Sequence, residues 1–138
     1  MKFMIIRKAD SQTEAGVMPT EEQLSSMMKY NQEMLDAGVL VDGEGLHPTT
    51  NATRIRFSGG VPTITDGPFA ETKELIAGFT MIQVNSREEA LKWVTKWPEE
   101  EVELELRQVF AAEDFGDEFT PELREQEERM RERAARNS

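Results

Sequence analysis

Hydrophobic and polar residues follow strand-like patterns in several parts of the chain. Four segments with apolar runs or strict alternation predict strands: residues 3–6, 39–41, 79–84 and 102–106. The first is an unbroken apolar run, which indicates a strand that is central in a sheet or buried on both faces. The turn Ser58-Gly59-Gly60 separates residues 53–57 from residues 61–65 and predicts a β-hairpin.

Apolar residues recur at helical spacing in two segments between these strands. The first helix is predicted over residues 20–37, where Thr20 and Gln23 form a capping-box pattern. The second is predicted over residues 86–97, whereas the polar residues 10–19 predict a loop. The order strand, helix, strand, hairpin, strand, helix, strand predicts an α+β fold, ferredoxin-like with an extra β-hairpin.

Composition excludes several classes of function. The 138 residues include 27 acidic and 16 basic side chains, and the net charge of −11 opposes direct binding to nucleic acid or to an anionic membrane. There is no cysteine and one histidine, so we expect no disulfide, no metal site and no cofactor. Neither a membrane-spanning segment nor a signal peptide is evident, and we therefore expect a cytoplasmic protein.

The composition changes near residue 111, after which charged residues dominate. We expect residues 1–110 to form the α+β domain and residues 111–138 to form a charged C-terminal tail. Thr120-Pro121 predicts the start of a helix in this tail. Its apolar stripe is thin, which favours a solvated or weakly docked helix over one that contacts a dimer partner.

The most distinctive motif is Asp-Gly-Pro-Phe (DGPF) at residues 66–69. All but the phenylalanine are turn formers, so one interpretation is a rigid connection after the hairpin, with Phe69 inserted into the core. The other is a ligand site in which Asp66, Glu71 and Lys73 converge on a cleft mouth beside Pro68 and Phe69. Ionisable groups so close in sequence can tune one another's charge and bind a polar ligand.

Two further candidates could complete this site. His47 could serve as a general base or proton switch, paired with Asp66 across the cleft, or it could be a loop histidine bonded to backbone or solvent. Arg54 and Arg56 lie on one face of a predicted strand and could clamp an anionic ligand. Alternatively, the two arginines form the solvated face of the hairpin or pair with glutamates of another strand.

Other residues that invite a functional interpretation are assigned structural roles. Gly43 and Gly45 lack the following helix and the lysine of a phosphate-binding loop, so we interpret them as a bend. The glutamates at residues 99–101 predict a solvated loop. Trp93 and Trp97 lie one helical turn apart and predict packing in the core or at a dimer contact.

The order and spacing of several segments resemble the YCII-related family, in the branch named for its DGPF motif. The resemblance covers about residues 2–110 and rests on these segments: residues 1–4, 37–40, 43–48, 65–73 and 78–79. It implies a ferredoxin-like fold whose sheets pair across a homodimer as a dimeric α+β barrel. It also implies a possible regulatory link to alternative sigma factors, by family association only.

The resemblance leaves two hypotheses for function. The wider family has been discussed as enzymes with a His–Asp pair whose histidine lies on the first helix, but the helix predicted here has none. We therefore favour a homodimeric small-molecule-binding or regulatory protein with a cleft at the DGPF loop. The alternative is an enzyme doing acid–base chemistry on a small polar substrate, with Asp66 as base and His47 or Lys73 as its partner.

Overall fold

The computed structural model describes residues 1–137; Ser138, the last residue of the predicted tail, lies outside the described residues. The strands are β1 (Lys2–Lys8), β2 (Leu40–Gly45), β3 (Thr53–Ser58), β4 (Val61–Asp66), β5 (Ile76–Gln83) and β6 (Leu104–Gln108). The α-helices are α1 (Ser11–Glu14), α2 (Glu21–Asp36), α3 (Arg87–Val94) and α4 (Pro121–Ala135). Short 3-10 turns cover Thr49–Asn51, Thr72–Glu74 and Ala112–Glu118.

Four strands form one antiparallel sheet in the order β2-β5-β1-β6. Helix α2 connects β1 to β2, and α3 connects β5 to β6, so the predicted α+β class is confirmed. The predicted hairpin is also present, as a separate two-stranded sheet of β3 and β4. Within residues 1–137 the four-stranded sheet is open rather than closed into a barrel.

The core lies between one face of this sheet and the helices α2 and α3. Its buried members are Phe3, Ile5, Tyr30, Met34, Val39, Ile82, Val84 and Ala90. Strand β1 is central, as its apolar run predicts, but its two faces differ: Phe3 and Ile5 are buried, whereas Met4 and Ile6 are only half-buried. Burial on both faces is therefore wrong for this strand.

Local capping signals identify the helix starts correctly. Thr20 accepts a hydrogen bond from the amide of Gln23, and Ser86 accepts one from the amide of Glu89. The loop predicted over residues 10–19 is wrong in part, because Ser11–Glu14 form a single helical turn capped by Asp10.

The bend predicted at Gly43 and Gly45 is wrong, because both residues lie in β2. Gly43 pairs with Thr80 of β5, and Gly45 pairs with Gly78. Glycine has a low strand propensity, but pairing with a neighbouring strand overrides it here. Gly43 also permits a close approach, since a Cβ atom there would lie 3.2 Å from the carbonyl oxygen of Phe79.

Residues from Val109 onward form a compact unit distinct from Met1–Gln108. In this second unit, Thr120 accepts a hydrogen bond from the amide of Leu123, which confirms the predicted helix start. Helix α4 carries ion pairs one turn apart, including Arg129 with Glu125 at 3.0 Å. Among the described residues, no helix combines the length and apolar character needed to cross a bilayer.

Candidate ligand site at the DGPF loop

The loop that follows β4 is anchored on Thr49, which is 9% exposed. The Thr49 hydroxyl donates a hydrogen bond to Oε2 of Glu14 (2.5 Å), and the Thr49 amide donates one to Oε1 (3.1 Å). The same hydroxyl accepts a hydrogen bond from the amide of Phe69 (3.0 Å). One buried threonine therefore connects helix α1 to the DGPF loop.

Gly67 packs so closely on this anchor that no other residue fits. Its amide donates a hydrogen bond to the carbonyl of Ala52 (2.9 Å), and the Gly67–Pro68 peptide bond is cis. A Cβ atom on Gly67 would overlap the carbonyl oxygen of Thr49. The glycine of the motif is therefore required by backbone packing.

Three of the predicted site residues meet above the anchor. The guanidinium carbon of Arg54 lies 3.7 Å from the ring centroid of Phe69, and Arg54 Nη2 lies 3.4 Å from Glu71 Oε2. Phe69 is half-buried beneath Arg54 and is not part of the core cluster. A hydrogen bond from its own backbone amide and the positive charge of Arg54 lower the pKa of Glu71. This cluster forms an exposed, charged surface on a well-anchored loop.

Asp66 and His47 are engaged with different neighbours. Asp66 Oδ1 accepts a hydrogen bond from the hydroxyl of Thr53 (2.9 Å), its cross-strand partner in the hairpin. His47 Nδ1 lies 3.0 Å from the side-chain nitrogen of Asn51, which donates, so a neutral imidazole carries its proton on Nε2. Within residues 1–137, no hydrogen bond or ion pair joins His47 to Asp66.

The remaining predicted residues lie at the surface around this cluster. Lys73 is exposed in the turn Thr72–Glu74 and makes no hydrogen bond or ion pair with any described residue. Pro68 is exposed in the loop. Arg56 is exposed on the hairpin face that also carries Arg54. Pairing of these arginines with β6 is not observed, since the partner of Arg54 is Glu71.

A second polar cluster was missed by the sequence interpretation, which assigned Glu99 to a solvated loop. Arg7 Nε and Nη2 donate to the two carboxylate oxygens of Glu99 (3.0 and 2.8 Å), and Trp97 Nε1 donates to Oε2 (2.8 Å). Burial alone would raise the pKa of Glu99, but hydrogen bonds from Arg7 and Trp97 and the charge of Arg7 lower it. No local signal could identify a partner 92 residues away.

The arrangement at the DGPF loop is suited to holding a polar group. Residues 1–137 contain no group of three or more His, Asp or Glu side chains positioned to bind a metal ion. Arg54 combines charge, an aromatic support and N–H donors, which suits it to bind a carboxylate, a phosphate or a planar polar group.

Comparison with known proteins identifies the family. A sequence profile of the YCII-related domain matches residues 1–113, which include strands β1 to β6 and the DGPF loop. An uncharacterised protein of Rhizobium meliloti (strain 1021) is 39% identical over 71 residues, which are 51% of this chain. The matched segment spans 57% of that relative's length. Because the profile covers all six strands, the chain belongs to the YCII-related family.

Proposed function

We propose that this YCII-related protein is a homodimeric small-molecule-binding protein whose ligand contacts the DGPF loop. The observation that carries the proposal is the position of Arg54, held 3.7 Å over Phe69 and 3.4 Å from Glu71. The anchor on Thr49 fixes the loop, so little conformational entropy is lost when a ligand binds there. A small molecule with a planar polar group fits this chemistry. An anion also fits if it replaces the single, exposed contact of Arg54 with Glu71.

Binding is favoured over catalysis because of where the acid–base candidates lie. General acid–base catalysis requires titratable groups within hydrogen-bond reach of the reacting atoms. Asp66 is bonded to Thr53, and His47 is bonded to Asn51. The enzymatic alternative, with Asp66 acting alongside His47 or Lys73, has no contact in its favour among the described residues.

A thermal-shift screen of metabolites, followed by calorimetry, tests the binding site. A ligand present at a hundred times its dissociation constant stabilises the protein by about 2.7 kcal/mol. We expect Arg54→Lys to weaken binding about tenfold or more, since the planar guanidinium is lost. Arg56→Lys is the matched control and should bind like the wild type. Equal binding to both variants would contradict the proposal.

The same screen separates binding from catalysis. Each hit is incubated with the protein, and its concentration is followed by mass spectrometry. An unchanged ligand supports a binding protein. Turnover that is lost in Asp66→Asn would instead establish the enzymatic alternative.

The homodimer is proposed because of the exposed apolar face of the hairpin. Ile55 pairs with Ile64, and Phe57 pairs with Pro62, so these side chains lie on one face. Ile55, Phe57 and Ile64 are 58%, 69% and 67% exposed. Exposed apolar surface of this kind is typical of a protein interface.

A second apolar surface supports the same assembly. On β1 and β5, the sheet face opposite the helices carries Met4 and Ile6 beside Met81 and Phe79, their partners in the strand register. In a ferredoxin-like fold, pairing of two such sheets as a dimeric α+β barrel would cover this face.

Sedimentation equilibrium tests the assembly. We expect a dimer for the wild type and a monomer for the double variant Ile55→Thr, Phe57→Ser. Thr63→Ser, on the opposite face of the hairpin, is the control and should remain dimeric. A monomeric wild type would refute the homodimer and leave the ligand site to be judged separately.

A further inference from the structure

A cleft of about 310 Å³ lies between helix α2 and the β2–β5 edge of the sheet. Its walls include Met27 and Asn31 of α2 and the side chain of Trp97, and its lining residues are distinct from those of the DGPF loop. The volume is within the range of about 300–1,000 Å³ that is usual for small-molecule sites.

The floor of the cleft exists because three glycines lack side chains. Gly43 and Gly45 of β2 and Gly78 of β5 all line it. Gly78 is buried, and directly paired strand residues share a face, so Gly45 lies on the same side of the sheet as Gly78. A Cβ atom on Gly78 would lie 2.8 Å from the carbonyl oxygen of Glu44, whereas one on Gly45 would meet no atom within 4 Å. The space above Gly45 is therefore open.

Two neutral polar side chains line the cleft without partners. Thr80 is only 8% exposed, yet its hydroxyl makes no hydrogen bond with any residue of the described chain. The carboxamide of Asn31 also lacks a hydrogen-bond partner among residues 1–137. No buried side-chain nitrogen or oxygen of the described residues lacks a partner, so the Thr80 hydroxyl and the half-buried Asn31 carboxamide reach solvent through the cleft and are available to a ligand.

The charge of the cleft disfavours an anion and offers little to a cation. Glu44, the acidic residue of the lining, pairs with Phe79, so its side chain alternates to the opposite face of the sheet from Gly43 and Gly45. Arg7 is the cationic side chain of the lining, and its guanidinium is neutralised by two hydrogen bonds to Glu99. An anion would have to compete with that carboxylate and would also face the net charge of −11. The thioether of Met27 and the indole of Trp97 offer apolar contact to a flat ring.

We propose that this cleft is a second ligand site, for a small neutral molecule with a flat apolar body and an amide or carbonyl group. The ring would lie between Met27 and Trp97. The Thr80 hydroxyl would donate a hydrogen bond to the carbonyl oxygen, and the Asn31 carboxamide would bind the amide. The site is independent of the one proposed at the DGPF loop.

Titration of the full ¹⁵N-labelled chain with benzamide tests the site, with benzoate as the charged analogue of the same shape. We expect benzamide to cause saturable shifts of the amides of Gly43, Gly45 and Gly78 and of the Trp97 indole N–H. Benzoate should bind about tenfold more weakly or not at all.

Two variants test whether the chemical shift changes arise from binding in the cleft. Gly45→Val should abolish binding by filling the open space, and its thermal midpoint should stay near that of the wild type because a Cβ atom there has no clash. Thr80→Val has the same shape and loses no protein hydrogen bond, so it should fold normally and bind about threefold to tenfold more weakly. Thr63→Val, on the exposed hairpin, is the control.

Several results would overturn the inference. The first two are an absence of saturable chemical shift changes with benzamide, and changes confined to Arg54 and Phe69. The others are equal affinity for benzoate and benzamide, and unchanged affinity for benzamide in Thr80→Val. Loss of binding at the DGPF loop in Arg54→Lys leaves this test unaffected, so the two sites can fail separately.

Discussion

Glu14 and Thr49 lie 35 residues apart and are joined by two hydrogen bonds, from the amide and from the hydroxyl of Thr49 to the two oxygens of one carboxylate. The Thr49 hydroxyl also accepts the hydrogen bond from the amide of Phe69. A glutamate on a single helical turn thus positions the loop that carries the DGPF motif.

Removing the Thr49 hydroxyl should loosen this loop. Thr49→Val leaves the Phe69 amide without its acceptor and Glu14 Oε2 without its donor, while the Thr49 amide still donates to Oε1. We therefore expect the free energy of unfolding to fall by about 1–3 kcal/mol. Urea denaturation measures that loss, and hydrogen exchange at the Phe69 amide should accelerate. Thr49→Ser keeps the hydroxyl, so its loss of unfolding free energy should be smaller than that of Thr49→Val. Equal stability of Thr49→Val and wild type would show that the anchor contributes nothing.

Gly67→Ala should destabilise the protein because the new methyl group overlaps the Thr49 carbonyl, and a backbone atom cannot rotate away. We expect a loss of about 1–3 kcal/mol or more, measured by thermal unfolding. Gly45→Ala is the matched control, since its methyl group would meet no atom within 4 Å. Similar losses in both variants would mean that a general glycine effect, rather than this overlap, is responsible.

The Arg7–Glu99 pair should make stability depend on pH. The pKa of Glu99 is lower in the folded state than the ordinary glutamate pKa of 4.5. The contribution of ionised Glu99 to the free energy of unfolding is therefore present above pH 4.5 and is lost as the pH falls through the folded pKa. We expect Glu99→Gln to reduce stability at neutral pH by about 1–3 kcal/mol and to flatten the decline in acid.

Denaturation of the wild type and of Glu99→Gln at several pH values, from about 7 to about 3, measures this difference in stability. Glu101→Gln is the control, because Glu101 is exposed and makes no ion pair with the described residues. The prediction is contradicted if the stability of the wild type declines in acid no more steeply than that of Glu99→Gln.

Tyr30 should ionise only at high pH. Burial, with a smaller effect from the charge of Glu33, raises the pKa of Tyr30 to about 12. Because the chain has one tyrosine, absorbance of the phenolate reports this group alone. The neutral phenol stabilises the fold below the unfolded pKa of about 10, and that contribution is lost as the pH rises towards the folded value.

Tyr30→Phe should abolish this titration. It should also cost about 0.5–1.5 kcal/mol, since the Tyr30 hydroxyl donates a 2.7 Å hydrogen bond to the carbonyl of Trp93. A native titration near the unfolded pKa would argue against burial of the hydroxyl.

Local features of the sequence determined the order of the elements. Apolar periodicity depends on residues a few positions apart, and so do the caps at Thr20 and Ser86. The turn at Gly59 and Gly60, both with positive φ, likewise requires only its own residues. These features predict the strands, the hairpin and helices α2, α3 and α4 because their free energies arise within a few residues of chain; the single turn of α1 was predicted as a loop.

The tertiary structure alone decided which polar side chains from distant segments meet. Asp66 and His47 are bonded to Thr53 and Asn51 rather than to each other, and Glu99 is bonded to Arg7 from the far end of the chain. Thr53–Asp66 is a hairpin pair and His47–Asn51 spans four positions, whereas the Arg7–Glu99 contact joins single residues 92 positions apart and leaves no periodic pattern. The cleft above Gly45 arises in the same way, since it requires β2 to pair with β5 beneath α2.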